Sequence, residues 1–93
     1  MTLCDFFECT FVINLAERKD RRAQITRELE AAGMPLSTGR VEIFPALKPT
    51  EARGFPSPGV RGCFLSHLGV LKSAQERKLA NLLIIEDDLV ISP

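Results

Sequence analysis

Several common functional signatures are missing from this 93-residue chain. No apolar run approaches the ~20 residues a membrane helix needs, so no spanning segment is expected. Asp5 and Glu8 interrupt the first apolar stretch and no basic region precedes it, so no secretory signal is expected either. Net charge is absent: twelve basic and twelve acidic side chains cancel. That removes any global electrostatic case for nucleic acid or an anionic membrane as partner. The three cysteines, Cys4, Cys9 and Cys63, are odd in number and lack C-x-x-C spacing, which argues against a disulfide framework or a zinc finger and fits a reducing compartment. No glycine-rich phosphate loop, internal repeat or low-complexity tract is present, and His67 is the only histidine.

What remains has the length and apolar fraction of one small globular domain, residues 1–93. Thr10 to Leu15 reads as a first strand, rich in β-branched and aromatic residues. Asp20 is the expected N-cap of a helix whose stripe is Ile25, Leu29 and Ala32. Gly33, followed by Pro35, should stop it. Val41 to Ala46 reads as a second strand. Leu47 to Arg61 carries Pro49, Gly54, Pro56, Pro58 and Gly59 and reads as a long, mobile binding loop. Gly62 to Lys78 reads as a second helix, deeply packed through Cys63, Phe64, Leu65, Leu68, Val70 and Leu71. Leu82 to Glu86 completes β-α-β-α-β. That alternation predicts an α/β fold with a Rossmann-like parallel sheet and helices on its faces.

Chemistry concentrates at three places. The third strand runs into Glu86-Asp87-Asp88, three carboxylates at the strand end where open α/β sheets bind ligands. Clustered like charges resist burial unless a cation joins them, and Mg²⁺ or Mn²⁺ suits an all-oxygen set. Alternation along a strand sends Glu86 and Asp88 to one side and Asp87 to the other. Asp88 is expected to lead, with Asp87 and Glu86 in support. A solvated acidic turn is the plainer reading. Second, Asn14, Arg18, Asp20, Arg21 and Arg22 cluster after the first strand; guanidinium groups and helix N-termini both suit phosphate. A solvated first helical turn would look the same. Third, Gly62-Cys63-x-x-Ser66-His67 sets Cys63 and His67 at i and i+4. His67 on an apolar helix arc reads first as a buried core residue. A nucleophilic pair would need an activating third group that the sequence does not supply. Ser66 either donates to a ligand or back-bonds to its own helix.

Four segments in order, Phe11-Val12-Ile13-Asn14-Leu15-x-x-Arg18-x-Asp20-Arg21, Glu42 to Ala46, Gly62-Cys63-x-Leu65-Ser66-His67 and Leu83 to Leu89, together resemble glycosyltransferase family 25. That family includes bacterial lipooligosaccharide and lipopolysaccharide sugar transferases and animal collagen galactosyltransferases. The resemblance implies a GT-A-type fold and a nucleoside diphosphate sugar donor. It also implies a divalent cation, Mn²⁺ or Mg²⁺, on Asp88, Asp87 and Glu86. Asn14, Arg18, Asp20, Arg21, Ser66 and His67 would hold the donor. The acceptor would be a saccharide, and the place cytoplasmic, peripheral at the inner face of the membrane. Family members are longer, so this stretch corresponds to an incomplete N-terminal half. By itself it is expected to bind donor without transferring it, and to self-associate through an open sheet edge.

The competing reading is a non-catalytic α/β domain, either a degenerate remnant or a receiver-like signalling domain that binds Mg²⁺. In receiver domains the acidic pair follows the first strand and a phosphoacceptor Asp comes later. Here the acids come last, which argues against it.

Overall fold

The structure, a computed structural model, describes residues 6–87. Its elements are β1 (Cys9–Asn14), α1 (Lys19–Ala31), a single 3₁₀ turn (Leu36–Thr38), β2 (Val41–Pro45), α2 (Pro58–Glu76) and β3 (Leu82–Glu86). All three strands are parallel, in the order β2-β1-β3. The chain therefore leaves the central strand first to one side and then crosses to the other. A parallel sheet with that reversal opens a crevice at the carboxyl ends of its strands.

Strand alternation divides the core into two layers. Val12 of β1, Val41 of β2 and Ile85 of β3 pack with Ile25 and Leu29 of α1 and with Met34. Cys9, Phe11 and Ile13 point to the other side, where they meet Val70 of α2. Central strand β1 is buried along its whole length, as a strand covered on both faces must be. The expected Rossmann-like α/β architecture is thus present.

Two helix starts differ from expectation. Helix α1 begins at Lys19 with Arg18 at the cap position and no side-chain cap. Asp20 lies inside the first turn, and its carboxylate takes the Arg18 guanidinium at 3.0 and 3.1 Å, with the Arg21 backbone amide as a weaker partner. Helix α2 begins at Pro58, not Gly62: the Ser57 hydroxyl accepts from the Val60 amide and Pro58 fills the first helical position. Proline there lacks only an N–H that would be unpaired anyway. The preceding loop is correspondingly shorter and is fastened to the helix. The Leu47 amide donates to Ser66 Oγ at 2.9 Å, Arg61 Nη1 donates to the Glu51 carbonyl at 2.9 Å, and the Phe55 and Phe64 rings lie 5.4 Å apart. The end of α1 is as expected, with Gly33 at φ 77° just after it.

Helix α2 lies on the sheet through its small residues. Gly62, Ser66, Val70 and Ala74, four apart, are its buried face. A Cβ on Gly69 would stand 2.8 Å from Phe44 Cζ, and one on Gly62 would stand 2.6 Å from the Leu47 carbonyl oxygen. Backbone of the loop after β2 leaves no room for a side chain at Gly62, whereas at Gly69 the Phe44 ring would have to shift. The larger apolar residues face outward: Phe64 is 52%, Leu68 42% and Leu71 51% exposed. The expectation that they are deeply packed is corrected by that geometry. His67 is likewise half-exposed and not a core residue.

Candidate functional site

The carboxyl ends of the strands open on a cavity of about 480 Å³. Its wall is built from three chain turns. Leu15, Arg18 and Arg21 come from the end of β1 and the start of α1. Leu47, Lys48 and Pro49 follow β2, and Gly62, Cys63 and Ser66 face it from α2. Glu86 and Asp87 close it at the end of β3. Cationic and anionic side chains thus share one concavity, as a ligand carrying both phosphate and a metal ion would need.

Alternation separates the two described carboxylates of the acidic triplet. Asp87 lies on the α1 side. Its Oδ2 accepts from Asn14 Nδ2 at 2.9 Å, and its Oδ1 lies 3.7 Å from Arg21 Nη1. Asn14 is 2% exposed, and its amide also donates to the Arg18 carbonyl at 3.3 Å. Asn14 therefore fixes Asp87 and the β1–α1 turn from behind the wall; it is not among the residues lining the cavity. Glu86 lies on the α2 side, where its Oε1 accepts from Cys63 Sγ at 3.5 Å. Asp88, expected to lead the metal set, lies outside the described residues.

Of the other residues expected to bind donor, Arg18, Arg21 and Ser66 line the cavity, whereas Asp20 and His67 do not. Asp20 stands outside as the partner of Arg18, which holds its carboxyl down at about 2. Ser66 is buried. Its proton goes to the Gly62 carbonyl at 2.7 Å while its oxygen receives the Leu47 amide, so it braces the wall and does not donate to a ligand. His67 sits beside Cys63, its Nδ1 2.8 Å from the Cys63 carbonyl oxygen and 3.8 Å from Sγ. Partial desolvation and the adjacent Glu86 carboxylate raise the Cys63 thiol above its ordinary range. A thiol kept protonated is a poor nucleophile.

The sequence reading did not place Lys48 or Cys63 in the cavity. Lys48 sits at the mouth, paired with Glu17 at 2.6 Å. It sits in a stretch that reads only as loop. Cys63 had a signal: its helical face is fixed by Ser66, and the parity of β3 turns Glu86 toward it.

Away from the cavity, at the amino ends of the strands, lies a separate polar cluster. Buried Cys9 donates to Glu42 Oε2 at 3.2 Å, and Arg77 pairs with the same carboxylate. Desolvation first, then Glu42, pushes the Cys9 thiol up to about 11. Arg77 also lies 5.6 Å above the Phe11 ring. This cluster fastens the end of α2 to β1 and β2 and presents nothing to the cavity.

The chain is similar to proteins of glycosyltransferase family 25. It is 35% identical over 99 residues to procollagen galactosyltransferase 2 of Mus musculus, covering 89% of this chain and 16% of that protein. It is also 35% identical over 102 residues to procollagen galactosyltransferase 1 of Danio rerio, again 89% of this chain and 16% of the relative. A probable inactive glycosyltransferase 25 family member 3 of Bos taurus is 30% identical over 99 residues, 89% of this chain and 17% of that protein. The chain thus spans about a sixth of the length of the curated relatives it matches. No family model matches the chain, and no solved structure does. Among the described residues no helix is long and apolar enough to cross a membrane.

Proposed function

We propose that this chain is the donor-binding part of a family 25 glycosyltransferase, and that its cavity holds a nucleoside diphosphate hexose. The observation that carries the reading is the joint presence of Arg18, Arg21 and Lys48 with Glu86 and Asp87 around one cavity at a sheet reversal. Similarity to two named galactosyltransferases over 89% of the chain supports it, and favours galactose as the hexose.

Each residue has a definable task. Arg18 and Arg21 can turn their guanidinium groups from Asp20 and Asp87 to the diphosphate, whose charge outcompetes a single carboxylate. Asn14 holds Asp87 in a fixed rotamer, so this carboxylate is oriented before any ligand arrives. Asp87 and Glu86 offer only oxygen, the donor chemistry of a Mg²⁺ or Mn²⁺ site; Asp88 completes the triplet in sequence. Such an ion would neutralise charge growing on the leaving diphosphate. Ser66 and Gly62 keep the Leu47–Pro49 wall at its distance from α2. The carboxylates that line the cavity, Glu86 and Asp87, are assigned to the ion, so the base and the acceptor side belong to the proposed parent enzyme. Its acceptor is a hydroxyl-bearing chain: a lipopolysaccharide saccharide by the sequence resemblance, procollagen by the names of the relatives.

A non-catalytic form of the same domain is the second reading, favoured by the similarity to a protein named probable inactive. Titrating the purified chain with UDP-galactose and other nucleoside diphosphate hexoses, with and without Mn²⁺, tests the binding claim. Metal-dependent saturation is expected. Absence of saturation with every donor would support the non-catalytic form.

A further inference from the structure

We propose that Cys63, His67 and Glu86 form a binding site for a thiophilic divalent cation of the Zn²⁺ class, which shares the Glu86 carboxylate with the oxygen-only site proposed around Asp87. One donor atom from each of these three residues lies within 4.8 Å of the other two. Two independent periodicities bring them together. The i, i+4 spacing puts Cys63 and His67 on one face of α2. Strand alternation turns Glu86 of β3 toward that face and Asp87 away from it.

The distances suit a tetrahedral ion. Metal–sulfur and metal–oxygen or metal–nitrogen bonds of about 2.3 and 2.0 Å at a tetrahedral angle set the ligand atoms about 3.5 Å apart. Sγ lies 3.5 Å from Glu86 Oε1 and 3.8 Å from His67 Nδ1. The trio is already organised without metal. The thiol proton bridges Cys63 to Glu86, and His67 Nδ1 is hydrogen-bonded to the Cys63 carbonyl. On binding, the S–H bond breaks, the proton leaves to solvent and the sulfur lone pair takes the ion. Coordination through His67 Nε2 keeps the carbonyl hydrogen bond, the usual support of a metal-bound histidine; coordination through Nδ1 releases it. Cys63 and Glu86 line the cavity, so an ion held there would be accessible from it. One thiolate, one imidazole, one carboxylate and an open position select Zn²⁺ or Co²⁺ over Mg²⁺.

The site stands whether or not the cavity binds a sugar nucleotide, and its test uses the metal alone. Titrating the reduced chain with Co²⁺ should give one equivalent of binding with a near-ultraviolet thiolate-to-cobalt band. Zn²⁺ should displace it. Cys63→Ser should abolish the band while unliganded melting stays in place, because this side chain is exposed. His67→Gln and Glu86→Gln should each weaken binding by about tenfold or more. Asp87→Asn should leave it unchanged. Independently of any variant, Zn²⁺ should protect Cys63 of the native chain from alkylation, mapped by mass spectrometry. A missing thiolate band, a band that persists in Cys63→Ser, or unprotected Cys63 at saturating Zn²⁺ would overturn the assignment.

Discussion

Replacing Gly62 by alanine separates two effects that usually oppose each other in a helix. Alanine in a helix interior gains about 1 kcal/mol over glycine from backbone entropy. At Gly62 the new Cβ would stand 2.6 Å from the Leu47 carbonyl oxygen and 3.0 Å from Pro49 Cδ. The first of these atoms is backbone and cannot rotate away, so the loop must move. Overpacking of this kind costs about 1–3 kcal/mol. Moving Leu47 also strains its amide bond to Ser66, which contributes about 1 kcal/mol. The balance is a loss of about 1–3 kcal/mol. Gly59, one turn earlier, is the internal control: its Cβ would meet only Ser57 Oγ at 3.7 Å. Gly59→Ala is therefore expected to be neutral or to stabilise by up to about 0.5 kcal/mol. In a domain of this size 1 kcal/mol shifts the melting temperature by about 4–8 °C, so the two variants should separate clearly by calorimetry. Equal melting temperatures for the two would refute the close approach of loop and helix that shapes the cavity wall.

Two further predictions concern the core. Cys9 holds its proton in the folded state up to about pH 11, whereas the free thiol loses it near 9.0. The neutral form is thus favoured by folding: its contribution is complete below pH 9 and fades as pH rises from 9 toward 11, by at most about 3 kcal/mol. Denaturant titrations across that window should show a decline that Cys9→Ala flattens; an identical slope in the variant would contradict the burial argument. Val70 and Leu71 are neighbours in sequence but opposites in place, 0% and 51% exposed. Val70→Ala should destabilise by about 1–3 kcal/mol, while Leu71→Gln should stay within about 0.5 kcal/mol of the parent in chemical denaturation. A larger loss at Leu71 would mean that the outward apolar row of α2 is packed after all.

The parts of this molecule that were readable from sequence are those in which local pattern and tertiary burden agree. Leu82–Glu86 is apolar, short and bounded, and it forms the strand with those limits. Gly33 after a periodic stripe ends α1 because no side chain opposes its positive φ. The start of α2 was hidden because Pro58 and Gly59 look like breakers; Ser57 as cap and proline at the first position turn the same residues into a beginning. The buried face of α2 was hidden for a related reason. Hydrophobicity points to Phe64, Leu68 and Leu71, but the sheet lies so close that only Gly62, Ser66, Val70 and Ala74 fit against it. At the site, residue type singled out Arg18, Arg21, Glu86 and Asp87, and all four line one cavity. It could not say that Asn14 works behind the wall or that Ser66 braces it, because that depends on which partner their hydrogen bonds find in space.

The central claim is that the cavity binds a sugar nucleotide through Asp87 and a divalent ion. The most direct measurement is the melting shift of the chain with UDP-galactose and Mn²⁺ together, compared in the parent and in Asp87→Asn. Asparagine keeps an oxygen for the Asn14 amide, so the unliganded fold should persist. Ligand at one hundred times its Kd stabilises by about 2.7 kcal/mol, a shift well above noise. The account predicts that this shift requires both nucleotide sugar and Mn²⁺ in the parent and is lost in Asp87→Asn. An equal, metal-independent shift in the two proteins, or none in the parent, would contradict it.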